Sequence, residues 1–284
     1  MRALDSHLHL WDPALLRYDW LSGPLAGAFG AGELRTAPVG DTPAAVFVQA
    51  GAAYDDALAE VAWVSGFADA AGVRGIVGDA RLDRGTATTA HLDELGAHPL
   101  VVGVRHLLQG EPDGLAATPA FVAGAREVAA RGWRFDACVR AHQIPDVASL
   151  AEQVPELPIV LDHLGKPAVG TADAPVAPTA EWLSDISALA RHPHVSCKLS
   201  GLPAEAGGLW DAAQLAPFLD AVAEAFGPER LMWGSDWPVS AVDAEYRPGA
   251  RARWLDTVAA WVIDRGLDAD AILWTNGARF YGVD

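Results

Sequence analysis

Short runs of β-branched and aliphatic residues alternate with Ala-rich helical stretches from one end of the chain to the other, and this alternation constrains the fold most. It implies parallel strands joined by crossover helices. Eight strand-like segments are recognisable: Ala3–Leu10, Ala45–Ala50, Gly75–Leu82, Leu100–Leu107, Arg134–Val139, Pro158–His163, Val195–Leu199 and Leu231–Asp236. Helical patterns lie between them, among them Asp55–Ala71, Pro119–Ala130, Thr179–Arg191 and Ala212–Phe226. Eight such units suit a (β/α)8 TIM barrel of the α/β class. A doubly wound sheet also alternates strand and helix, but its first strand usually leads into a Gly-rich phosphate turn. Here the first strand leads into Leu10-Trp11-Asp12-Pro13, and the barrel is favoured. Strand spacing is even, with no low-complexity linker, so residues 1–284 read as one domain. Irregular stretches cover Trp11–Pro43, Gly165–Pro178 and Leu202–Asp211, and the tail from Tyr246 reads as one or two closing helices.

In a barrel of this kind the chemistry sits at the carboxyl ends of the strands. Asp5-Ser6-His7-Leu8-His9 places two imidazoles two residues apart, on one side of the first strand. The sixth strand ends in Leu161-Asp162-His163 and the eighth in Gly234-Ser235-Asp236. His7, His9, His163 and Asp236 thus read as one site. Strand alternation puts Met232 and Gly234 on the inner face with Asp236, and Ile159 and Leu161 with His163, which turns Asp162 away as a loop acceptor. The four groups could ligate a divalent metal, zinc or manganese. Equally, the imidazoles could polarise a carbonyl while the carboxylate takes a proton from water, without any metal.

Other polar groups fall at strand ends. Arg105 and His106 end the fourth strand, where adjacent residues face opposite ways, so only one is expected to reach a substrate oxygen. Lys198 in the seventh strand is a further anchor, and Arg140 and His142 follow the fifth. Eleven tryptophans are present. Trp11, Trp20 and Trp237 fall where flat indoles could face a sugar ring, whereas Trp63, Trp182 and Trp254 lie in helical segments and fill the barrel–helix layer.

Composition removes several classes of partner. A formal charge of −17, with only 20 Lys and Arg, disfavours nucleic acid. No apolar run is long enough to span a bilayer, and no signal sequence precedes the first strand, so a cytoplasmic, small-molecule enzyme is expected. Cys138 and Cys197 lie in apolar strands and imply no disulfide. Oligomeric state leaves no mark in the sequence.

These motifs resemble the amidohydrolase superfamily, and within it the branch of sugar lactonases, such as fuconolactonase and rhamnonolactonase, and pyrone dicarboxylate lactonase. The resemblance spans nearly the whole chain and rests on Asp5-Ser6-His7-Leu8-His9-Leu10-Trp11-Asp12, Gly103-Val104-Arg105-His106, Glu111-Pro112-Asp113, Asp162-His163-Leu164-Gly165-Lys166-Pro167, Cys197-Lys198-Leu199-Ser200-Gly201-Leu202, Gly234-Ser235-Asp236-Trp237-Pro238 and Asn276-Gly277-Ala278-Arg279-Phe280-Tyr281. It implies that His7 and His9 form the first-strand pair, His163 the sixth-strand histidine, and Asp236 the aspartate that activates water. Metal-dependent members usually add a lysine or glutamate on the fourth strand or a histidine on the fifth. Val104-Arg105-His106 and Ala137-Cys138-Val139 stand there instead, which implies one weakly held metal ion or none. The expected reaction is hydrolysis of a sugar-acid lactone. The alternative in another reaction class is metal-dependent decarboxylation of an aromatic acid, and a non-catalytic sugar-binding barrel is a third.

Overall fold

The computed structural model describes residues 1–242 and 245–283. Eight parallel strands follow one another around the barrel in chain order: β1 (Asp5–Leu8), β2 (Ala45–Val48), β3 (Val73–Asp79), β4 (Val101–Arg105), β5 (Arg134–Ala137), β6 (Ile159–Leu161), β7 (Val195–Leu199) and β8 (Leu231–Trp233). The ring closes just past the end of β8. There Asp236 N donates to His7 O at 2.8 Å and His9 N to Trp237 O at 2.8 Å. A Cβ on Gly234 would lie 2.7 Å from His7 Cβ, so glycine is what lets β8 come this close to β1.

Most strands stop short of their expected ends. β6 ends at Leu161 rather than His163, and β8 at Trp233 rather than Asp236. The cause is local backbone geometry: His163, Leu164, Lys166 and Asp236 all take left-handed conformations with φ of 53–54°, which no strand accommodates. These uncommon conformations gather at the carboxyl rim, where strained backbone tends to mark function.

Helices cover the outside. Pro119–Ala130 forms as expected, while Thr179 and Asp211 cap the helices Ala180–Ala190 and Ala212–Phe226 by accepting from Trp182 N and Gln214 N. The expected Asp55–Ala71 helix breaks at Gly66 into Ala57–Ser65 and Ala68–Ala71. Two helices close the tail, Ala250–Asp264 and Asn276–Tyr281. The second packs against Leu4, Val46, Val77, Val160 and Met232, sealing the barrel at the end opposite the site.

That packing corrects the expected parity of β6. Val160 shares the inner cluster with Met232, whereas Ile159 and Leu161 belong to the core between barrel and helices. Asp162 is therefore an inward residue. His163 reaches the site only because its left-handed backbone turns the next side chain inward as well.

Candidate active site

Four donors converge at the rim. His7 Nε2 lies 3.1 Å from His9 Nε2, and Asp236 Oδ1 lies 3.5 Å from His9 Nε2, 3.7 Å from His163 Nε2 and 3.9 Å from His7 Nε2. Their outer atoms are held from behind. His9 Nδ1 donates to Val48 O at 2.8 Å, His163 Nδ1 meets Ser200 Oγ at 2.9 Å, and Ser240 Oγ donates to Asp236 Oδ2 at 2.8 Å. Gly201, with φ of +72°, leaves room for the His163 ring, since a Cβ there would lie 2.7 Å from His163 Cβ.

Burial decides the charges. It pushes the His163 imidazole down to about 4 and lowers that of His7 as well, so both rings are neutral near pH 7. Burial alone would raise Asp236. His163 and the hydrogen-bonding His9 outweigh it and hold the carboxyl well below the usual range. The result is an ionised carboxylate among neutral imidazoles.

This donor set fits one divalent ion. His7, His163 and Asp236 carry that fit, with ligand atoms all within 4.8 Å of one another, while His9 Nε2 stands beside them, 3.1 Å from His7 Nε2 and 3.5 Å from Asp236 Oδ1. Hydrogen bonds to the far nitrogens of His9 and His163 are the usual support of histidine ligands. A second group, His7, Asp136 and Asp162, is filled from within: Lys198 Nζ bonds Asp136 Oδ2 and lies 3.0 Å from His7 Nδ1 and 3.1 Å from Asp162 Oδ1. An ammonium thus stands where a second cation would go.

The site opens into a cavity of about 350 Å³. Arg105 lines it, with one guanidinium NH2 bound to Gln49 O and the other 3.5 Å from Asp162. His106 does not. Strand alternation turns it outward to stack on Phe121 and accept from Leu82 N at 3.3 Å. Three other residues expected to touch substrate are also placed outside the cavity lining. Lys198 lies fully buried beneath the histidines. Trp11 donates to Leu25 O and Gly27 O, and Trp237 to Tyr246 OH at 3.0 Å; with Phe29 they form an aromatic cluster that pins the first loop. Trp20 is the indole that lines the cavity.

Sequence reasoning did not single out Asp79, Arg81, Gln109, Lys166 or Glu205, all in the lining. Asp79 ends β3, Gln109 and Glu205 sit on short helical turns after strands, and Arg81 and Lys166 come from loops, whose approach no periodicity encodes. Lys166 had a signal, since it stands in the same Asp162–Pro167 motif as His163. His142, by contrast, is out on the surface, 3.2 Å from Asp113.

An eight-stranded barrel with histidines on and just after β1 and after β6 and a carboxylate after β8 defines the class of barrel hydrolases. The chain belongs to the amidohydrolase family, whose model matches residues 4–283. It is 35% identical over 269 residues to an L-fucono-1,5-lactonase of Burkholderia multivorans, covering 89% of this chain and 88% of that one. A second L-fucono-1,5-lactonase, from Burkholderia ambifaria, is 34% identical over 208 residues, or 71% and 68% of the two chains. The crystal structure of a Burkholderia multivorans amidohydrolase with bound zinc superposes with a TM-score of 0.83 at 31% identity over the whole of both chains.

Proposed function

We propose that this protein hydrolyses a lactone of a sugar acid. The observation that carries the reading is the convergence of His7, His9, His163 and the ionised Asp236 carboxylate, with His9, His163 and Asp236 in the lining of the cavity. Two lactonases among its relatives support it. A cavity of about 350 Å³ suits one sugar-sized ring. Lining cations Arg81, Arg105 and Lys166 and acids Asp79 and Glu205 offer partners to ring hydroxyls.

Asp236 Oδ1 takes a proton from water as the water oxygen attacks the ring carbonyl, while Ser240 Oγ occupies Oδ2 and aims the carboxylate. His163, His9 and His7 stand around the point where negative charge develops on the carbonyl oxygen. The carbonyl–oxygen bond of the ring then breaks, and the proton held by Asp236 passes to the departing ring oxygen. The product is a hydroxy acid, which gives up its carboxyl proton to solution. His7, His9, His163 and Asp236 would hold a divalent ion, zinc or manganese, which would supply Lewis-acid polarisation of the carbonyl. Acid release in a pH-indicator screen of sugar-acid and dicarboxylate lactones, run with and without chelator, tests substrate class and metal need together; release from the sugar-acid lactones is expected, and release from none would overturn the reading.

A further inference from the structure

Alternation along β3 carries Val77 into the inner cluster and brings Asp79, two residues on, to the rim above it. Its backbone is fixed there: it pairs with Arg105 of β4, and His91 Nε2 donates to its carbonyl oxygen at 2.8 Å. Asp79 lines the cavity and is only 6% exposed. Among the described residues its carboxylate has no side-chain hydrogen bond and no ion pair; the amide of Ala80 is the donor it has. Burial raises its carboxyl, and Arg81 and Arg105 hold the rise in check. The other charges of the wall are matched. Arg81 Nη1 stands 2.6 Å from Glu111 Oε1, Arg105 Nη1 3.5 Å from Asp162 Oδ2, and Lys166 Nζ 3.9 Å from Glu205 Oε1. Asp236 belongs to the reaction centre. Among the described residues Asp79 is therefore the surplus charge of the wall, and it is negative.

We propose that Asp79 sets the substrate class of the site: it accepts hydrogen bonds from hydroxyls of an uncharged lactone ring and turns away rings that carry a carboxylate. A carboxylate has two oxygens side by side, which suits a pair of neighbouring hydroxyls. In a wall shielded from water such an acceptor, short of donors, gains most from the donors a ligand brings. A carboxylate on the substrate would instead meet cations that already have partners and an anion that has none. Resting on the proposed function, this narrows the substrates to uncharged lactones with hydroxyls on the ring.

The test reads binding by calorimetry on lactams, ring isosteres whose amide bond resists opening. A protein that opens no lactone would refute the proposed function and still report on Asp79. The probes are δ-valerolactam, the six-membered lactams of the hexonic acids, and a δ-valerolactam bearing one carboxylate. Wild type should bind at least one hexonic lactam about tenfold or more tightly than δ-valerolactam, and the carboxylate-bearing ring more weakly than that hexonic lactam. Asp79→Leu should cut the preference for hydroxyls by about tenfold, the worth of a charge-assisted hydrogen bond. A merely structural role would weaken all the lactams alike and leave the ratio as it was. Should Asp79→Leu not fold, Asp79→Asn keeps the shape and loses the charge, and it should bind the carboxylate-bearing lactam about fivefold or more tightly than wild type does. No preference for hydroxyls in wild type, an unchanged ratio in the folded leucine variant, or no gain in Asp79→Asn would overturn the proposal.

Discussion

At the scale of single residues, the site depends on backbone conformations that few side chains tolerate. His163 and Asp236 both sit at φ of 54°, and at His163 this brings to the rim a side chain that alternation from Val160 would turn outward. Gly201 complements His163 by leaving space for its ring. Gly201→Ala would put a methyl group against that ring at a left-handed φ, and strain of this kind costs about 1–3 kcal/mol. The expected result is a fall in kcat/KM with a lowered urea midpoint; wild-type values of both would show that the ring has room. The aspartate was legible in the sequence because it ends an apolar run, and His7 and His9 because their spacing matches a strand. Asp162 was misread for a physical reason: alternation assumes a strand continuing through His163, and β6 ends two residues earlier.

At the scale of elements, Glu60 joins three of them. From the helix Ala57–Ser65 its Oε1 accepts from Ala50 N just beyond β2 and from Tyr18 OH in the first loop, both at 3.1 Å. Burial pushes its carboxyl from the ordinary 4.5 up to about 8. The folded chain therefore keeps a proton that the unfolded chain gives up. Its contribution to stability is full below pH 4.5 and is lost as pH rises to about 8, at about 1.4 kcal/mol per pH unit. Glu60→Gln, which mimics the protonated acid, should match wild type near pH 4.5 and exceed it in urea unfolding at pH 8. A difference independent of pH would contradict this. Existence of the barrel strands was readable from their apolar runs, and the helices Pro119–Ala130 and Ala212–Phe226 from their Ala-rich patterns. Much of the cavity wall was not, because Arg81 and Lys166 arrive on loops and Glu205 on the short helix Leu202–Glu205. Nor was the role of Trp11 and Trp237, since an indole pinning a loop and one facing a sugar look alike in sequence.

At the scale of the whole molecule, the barrel separates two polar regions by depth. His9, His163, Asp236 and the cavity occupy the carboxyl rim, while Asp136, held by Lys198 and by Tyr281 OH at 2.9 and 3.0 Å, lies deeper, toward the sealed end. Burial pushes the Asp136 carboxyl up to about 6 even with Lys198 beside it. Tyr281→Phe should lower the unfolding free energy by about 1–3 kcal/mol, the cost of leaving a buried acceptor short of a donor. It should leave kcat/KM within about twofold of wild type, because the catalytic groups gain their positions from the other end of the strands. A large loss of activity with unchanged stability would reverse that division. Among the described residues no helix is long and apolar enough to cross a membrane.

In the proposed reaction Asp236 activates water against a lactone carbonyl. Its most direct measurement is acid release from a sugar-acid lactone by wild-type protein and by Asp236→Asn, each checked for fold by circular dichroism. Turnover by wild type and a loss of about 10²–10⁴ in kcat for the folded variant are expected. Undiminished turnover by Asp236→Asn would contradict it.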